Sequence, residues 1–143
     1  MLSLFKRKSK PADDLSFPLG KRGELIAQVS YQEKGFKIIA TNEINRHGKQ
    51  AGEIDFIAVD ASSIVFVEVK TRAQEVTKHG TGVDSVNYYK QLKILKAAKL
   101  FLVRNEEYRS LRPQIDVCVI IMDNLDREPK RVTIISNAVE DVY

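Results

Sequence analysis

Two apolar runs in the middle of the chain, EIDFIAVD (53–60) and SIVFVEVK (63–70), carry charged side chains that such runs ordinarily exclude: Asp55, Glu68 and Lys70. Two carboxylates make a hard oxygen donor set, the kind that holds Mg²⁺ or Mn²⁺ together with waters and phosphate oxygens. An ammonium beside them can orient or help deprotonate an attacking water, or neutralise a phosphate in the transition state. The chemistry that follows is metal-assisted phosphodiester hydrolysis. The same three groups also suit a plain structural ion pair with one extra acid, an arrangement roughly neutral for stability.

The elements that must position them can be read locally. Both runs are rich in β-branched and aromatic residues and are separated by the turn-like Asp60-Ala61-Ser62-Ser63, which predicts a hairpin. A four-residue turn sets Val59 opposite Ile64 and therefore Asp55 opposite Glu68, on one face of the sheet. Lys70, two residues beyond Glu68, shares that face. Ile64 and Phe66 on one phase and Val65, Val67 and Val69 on the other predict a strand buried on both sides. Like charges opposed at the end of such a hairpin destabilise it unless something compensates.

Around the hairpin, LGKRGELIAQVSYQEK (19–34) predicts a helix with Leu25, Ile26 and Val29 on its inner face and Gly35 as a left-handed cap. FKIIATN (36–42) predicts a short strand and residues 43–52 a polar loop. VNYYKQLKILKAAKLFLVR (86–104) has helical period and propensity, with Tyr88, Leu95, Ala98, Phe101 and Leu102 as its buried face. Gln91 falls within that face and needs a partner, in the backbone or near the site. Lys90 flanks the face and suits phosphate, whereas Lys93, Lys96 and Lys99 fan around the helix into solvent. PQIDVCVIIMD (113–123) predicts a strand buried on both faces, in which Asp116 has a hydrogen-bonding role, and RVTIIS (131–136) a last strand followed by a helical turn. The expected architecture is α/β, in the order α-β-β-β-α-β-β, a central mixed sheet flanked by helices. The domain starts at residue 18, and residues 1–17 form an arm.

These residues resemble a known group. Gly20-Lys21-Arg22-Gly23-Glu24, Gly52-Glu53-Ile54-Asp55 and Phe66-Val67-Glu68-Val69-Lys70-Thr71-Arg72, with Lys90-Gln91 and the aspartate of Ile115-Asp116-Val117, look like the YraN family of small bacterial proteins. That family is placed in the PD-(D/E)XK nuclease superfamily and is similar to archaeal Holliday-junction resolvases. The resemblance spans residues 19–143 and implies a restriction-endonuclease-like core. In it Asp55 and Glu68 bind the metal with the Val69 carbonyl, Lys70 is the catalytic lysine, and Glu24 reaches the metal or its waters from the helix. By its own position Glu24 reads as a surface acid near a helix N-terminus, which the helix dipole favours. Gly-Glu-Ile-Asp stands where the superfamily's name has Pro-Asp; the aspartate is kept. Arg72 and Lys78 join Lys90 as expected contacts to a nucleic-acid backbone.

Charge and composition narrow the rest. At 43% hydrophobic and 29% charged, with no long apolar run, the chain reads as a cytoplasmic globular domain without a membrane span. The MLSLF of the start is too short and too early for a secretory signal. The net charge of +4 lies wholly in residues 1–22, leaving a balanced body. A basic arm suits phosphates or anionic lipid. The single Cys118, in an apolar run, excludes a disulfide within the chain and reads as a small buried hydrophobe. His47 and His79 lie in glycine-containing loops without ligand spacing for zinc. The expected partner is DNA, with no small-molecule cofactor, and a homodimer would gather two sets of basic residues into one groove. The alternative is a catalytically weak nucleic-acid-binding or scaffold protein, which the neutral body favours.

Overall fold

The computed structural model describes residues 18–44, 52–73, 88–123 and 129–139, the side chains of Ile44 and Tyr88 excepted. The predicted arm, the loops holding His47, Lys78 and His79, and residues 140–143 of the predicted terminal turn lie outside these residues. Helix α1 (Leu19–Glu33) is followed by strands β1 (Lys37–Ile44), β2 (Glu53–Val59) and β3 (Ser63–Ala73), helix α2 (Tyr88–Arg104), a short 3-10 turn (Glu106–Tyr108), and strands β4 (Arg112–Met122) and β5 (Pro129–Val139). The expected order holds, and the 3-10 turn is an addition.

The five strands form one sheet in the order β1-β2-β3-β4-β5. β3 and β4 run parallel while the other neighbours are antiparallel, so the sheet is mixed. A parallel pair needs a crossover connection, and α2 lies within it. Side-chain alternation then divides the core in two. Ile57, Ile64, Phe66, Ile115, Val117, Val119 and Ile121 pack with Ile94, Ala97, Ala98 and Phe101 of α2. Phe56, Ala58, Val65, Val67, Cys118, Ile120 and Met122 pack with Ala27 and Tyr31 of α1. The helices therefore cover opposite faces, and β3 and β4 are buried on both sides, as their unbroken apolar runs require.

Local chemistry fixes the ends of these elements. Gly35, at φ +91°, closes α1 in a Schellman arrangement: the Gly35 N–H donates to the Gln32 carbonyl and the Phe36 N–H to the Tyr31 carbonyl, both at 3.0 Å. The accompanying apolar contact is the edge-on packing of Phe36 against Tyr31, with ring centroids 5.6 Å apart. In the β2–β3 turn the Asp60 carboxylate accepts from the N–H groups of Ser62 and Ser63 at 2.9 and 2.7 Å. At the far end of α2, Arg109 donates to the carbonyls of Leu102 and Val103, and Asn105 to that of Phe101.

Four expectations need correction. The inner face of α1 is not Leu25, Ile26 and Val29, which are only half-buried, but the stripe Gly23, Ala27 and Tyr31, whose small residues let the helix close onto the sheet. The polar loop begins later than residue 43, because Glu43 and Ile44 pair with Ile54 and Glu53. The last strand is longer than RVTIIS, taking in residues 129–139 through a break in register between Ile115 and Val117, so residues 137–139 are strand where a helical turn was expected. Asn137, at φ 52°, lies opposite that break. The buried face of α2 is also rotated from the expected one: Ile94, Ala97, Ala98 and Phe101 form it, with Leu95 and Leu102 only partly buried. Lys90 is one turn before Ile94, so it continues this face rather than flanking it.

Candidate active site

The hairpin register is the predicted one, with Val59 opposite Ile64 and Phe56 opposite Val67. One step beyond the last of these pairs stand Asp55 and Glu68. Here the Asp55 carboxylate takes up a main-chain donor, Oδ2 accepting from the Val69 N–H at 2.7 Å. That bond fixes the acid against β3. Glu68 follows Phe66 on the face toward α2, and its Oε1 meets two ammonium groups: Lys70 Nζ at 3.3 Å and Lys90 Nζ at 2.7 Å. The Glu68 and Lys70 side chains are enclosed, 7% and 11% exposed, whereas Lys90 is 40% exposed.

The electrostatics follow from this crowding. Burial, then the Glu68 charge, raises the Asp55 pKa to about 7, against the pull of the Val69 N–H, and the Glu24 charge adds to the rise. Lys70 is lowered, first by burial and then by Lys90, although Glu68 acts the other way. Burial pulls Lys90 down as well, but its bond to Glu68 and its other neighbours outweigh this and leave it raised. The group thus holds one carboxylate that releases its proton near neutrality and one ammonium that gives up its proton more readily than usual. Asp55 and Glu68 repel each other, and a divalent cation between them would relieve that. Their oxygen donors suit Mg²⁺ or Mn²⁺.

Glu24 arrives from the other face of the sheet. Gly23 lies so close to Thr71 of β3 that a Cβ there would collide with the threonine hydroxyl. The glycine lets α1 press on β3 and brings the next residue near the site. Glu24 pairs with Lys21 at 3.6 Å, and its charge is felt at Asp55. Among the described residues no three His, Cys, Asp or Glu side chains gather as a metal-holding group. The close carboxylates are therefore the pair Asp55 and Glu68, with Glu24 further out. Val69 meets the site through its N–H, which donates to Asp55. Arg72, half-buried, donates to the Thr71 carbonyl at 3.1 Å. Gln91 is half-buried on α2.

A second buried acid lies on the α1 side. Asp116 accepts from the Tyr31 hydroxyl at 2.7 Å, from Gln114 Nε2 at 3.1 Å and from the Asn137 N–H at 3.1 Å. These donors satisfy it, although burial still raises its pKa. It ties α1, β4 and β5 together, which is the hydrogen-bonding role expected of it. Burial and Asp116 push the neighbouring Cys118 thiol up to about 12, so it stays protonated and serves as packing. What the sequence reading missed is the direct Lys90–Glu68 pair. The signal was only partial: Lys90, Ile94, Ala97 and Phe101 recur at helical spacing on one stripe, but so do Tyr88, Leu95 and Leu102.

Residues 23–120 match the uncharacterised protein family UPF0102. The chain belongs to this family. A UPF0102 relative from Chlorobium limicola is 38% identical over 110 residues, covering 77% of this chain and 80% of its own. Another, from Caldanaerobacter subterraneus subsp. tengcongensis, is 32% identical over 120 residues, or 84% and 93% of the two chains. A third, from Clostridium botulinum, is 33% identical over 108 residues, 76% and 83%. The family is the one the sequence motifs indicated. Its matched span contains Glu24, Asp55, Glu68, Lys70, Lys90 and Asp116, so the whole cluster falls within the part that defines UPF0102. Among the described residues no helix is long and apolar enough to cross a membrane.

Proposed function

We propose that this UPF0102 protein is a metal-dependent endonuclease of the restriction-endonuclease-like, PD-(D/E)XK type, acting on DNA at branched or junction structures. The observation that carries the reading is the meeting of Asp55, Glu68 and Lys70 at the end of one buried hairpin, with Asp55 raised to about 7. Asp55 and Glu68 would hold Mg²⁺ or Mn²⁺, with the Val69 carbonyl, and Glu24 would act on its waters. A cation there supplies positive charge against the charge that develops on the phosphate. Lys70 donates hydrogen bonds to a non-bridging phosphate oxygen or aligns the attacking water. Its lowered pKa makes it the readier of the two lysines to accept a proton. The water oxygen bonds to phosphorus as the bond to the leaving sugar oxygen breaks, and that oxygen takes up a proton. Arg72, Lys90 and Lys78 contact the nucleic-acid backbone.

The test uses labelled linear, flapped and four-way-junction DNA with Mg²⁺ or Mn²⁺, beside Lys70→Ala. Cleavage that is lost in the variant and with chelator is expected, and its substrate pattern names the target. A second reading rests on the neutral body of the chain and on the two ammonium groups already engaging Glu68. By that reading the protein binds nucleic acid or serves as a scaffold with little turnover. Junction binding without cleavage by either protein would select it.

A further inference from the structure

Lys90 is an unusual partner for Glu68. The first turn of α2, as described from Tyr88, holds no acid, and a cation there opposes the helix dipole. Glu68 already has the Lys70 ammonium at 3.3 Å, yet the Lys90 contact is the shorter, at 2.7 Å. Two ammonium groups on one carboxylate leave local positive charge beside Asp55, in the place where a divalent cation would have to enter. The two lysines are not equivalent. Lys70 is fixed on a strand and enclosed, whereas Lys90 is on a helix and 40% exposed, with a flexible stem and an open side for its head to move toward.

We propose that Lys90 is a displaceable counterion: its ammonium holds Glu68 while no divalent cation is bound, and is released toward the substrate phosphate when one binds. This rests on the metal-site reading above and adds a positioning residue to it. Held by Lys90 as well as Lys70, Glu68 keeps its orientation in the metal-free protein. Once displaced, the same ammonium stands at the rim of the site as a phosphate contact. Metal loading and engagement of the nucleic-acid backbone are then coupled through one side chain.

The test measures Mn²⁺ binding to the full-length protein by isothermal titration calorimetry, without nucleic acid. Lys90→Met keeps most of the stem that continues the Ile94 face and removes the competing charge. It is expected to bind Mn²⁺ roughly 3- to 10-fold more tightly than wild type, the range that one competing ion pair of about 0.7–1.4 kcal/mol sets. Lys90→Gln, which retains a hydrogen-bonding end, should tighten binding in the same direction and serves if the methionine variant folds poorly. Lys96→Met, exposed elsewhere on α2, should leave affinity unchanged and controls for net charge. Unfolding midpoints give an independent readout: the metal-free Lys90→Met protein should unfold earlier than wild type, with the gap narrowing as Mn²⁺ saturates. Equal or weaker Mn²⁺ binding by both Lys90 variants would overturn the displacement while leaving the metal site standing. No Mn²⁺ binding by wild type or by either Lys90 variant would overturn both.

Discussion

Asp55 and Glu68 face each other with the same formal charge, yet the structure treats them differently. Asp55 loses its proton at about pH 7 in the folded protein against an ordinary 3.8. Below about pH 4 both the folded and unfolded chains keep that proton, and the group leaves stability unchanged. As pH rises the unfolded chain ionises first, so stability falls between pH 4 and 7 and the loss is complete above pH 7. At about 1.4 kcal/mol per pH unit the loss is on the order of 2–4 kcal/mol. Asp55→Asn keeps an oxygen for the Val69 N–H and removes the charge. In metal-free urea denaturation it should be about 2 kcal/mol more stable than wild type at pH 8 and equal to it at pH 4. A less stable variant at pH 8 would mean that the two acids do not conflict. Glu68→Gln should do the reverse. It strands the Lys70 and Lys90 ammonium groups, one of them enclosed, and should lower stability by about 2–4 kcal/mol at neutral pH. The opposite signs of these two changes, measured side by side, identify which acid the lysines serve.

Elements decide how much of this was readable in advance. The β2–β3 register was legible because a hairpin is local: the turn chemistry of Asp60 and the apolar alternation fix it without reference to the rest of the fold. The Schellman end at Gly35 was legible for the same reason. The phase of α2 was not, since Tyr88, Leu95 and Leu102 satisfy helical spacing about as well as Ile94, Ala97 and Phe101; packing on the sheet chooses between them. Nor could spacing reveal the bond from Tyr31 to Asp116, which joins residues 85 apart and depends on how α1 lies on β4. Gly23 shows the same limit. In isolation Gly23→Ala should favour the helix by about 1 kcal/mol. Against Thr71 the sign reverses, because the new methyl has no room. The variant should lose about 2–3 kcal/mol in thermal or urea unfolding. Thr71→Ala in the same chain should restore part of the loss, whereas a stabilised Gly23→Ala protein would show that α1 does not press on β3.

For the whole molecule, the +4 net charge separates into a neutral body and a basic start. If nucleic acid is the partner, attraction at a distance comes mainly from the N-terminal residues and chemistry from the hairpin. Replacing Lys6, Arg7, Lys8 and Lys10 by Gln in the full chain should flatten the dependence of log K for DNA on log salt by up to about 3–4 in slope. Thermal stability should stay as it is. An unchanged slope would place the phosphate contacts on the body instead. The mixed sheet also sets an order of events. β2 and β3 close through the turn at Asp60, whereas β3 meets β4 only after the chain has travelled from Ser63 to Arg112, with α2 on the way. Local hairpins form within microseconds, and pairings between distant segments are the slow part of folding. The two acids therefore come together early, while the chain is still open to water and their repulsion is weak. The lysine that steadies Glu68 is delivered later, when docking of α2 shuts water out and makes the charge pairing necessary.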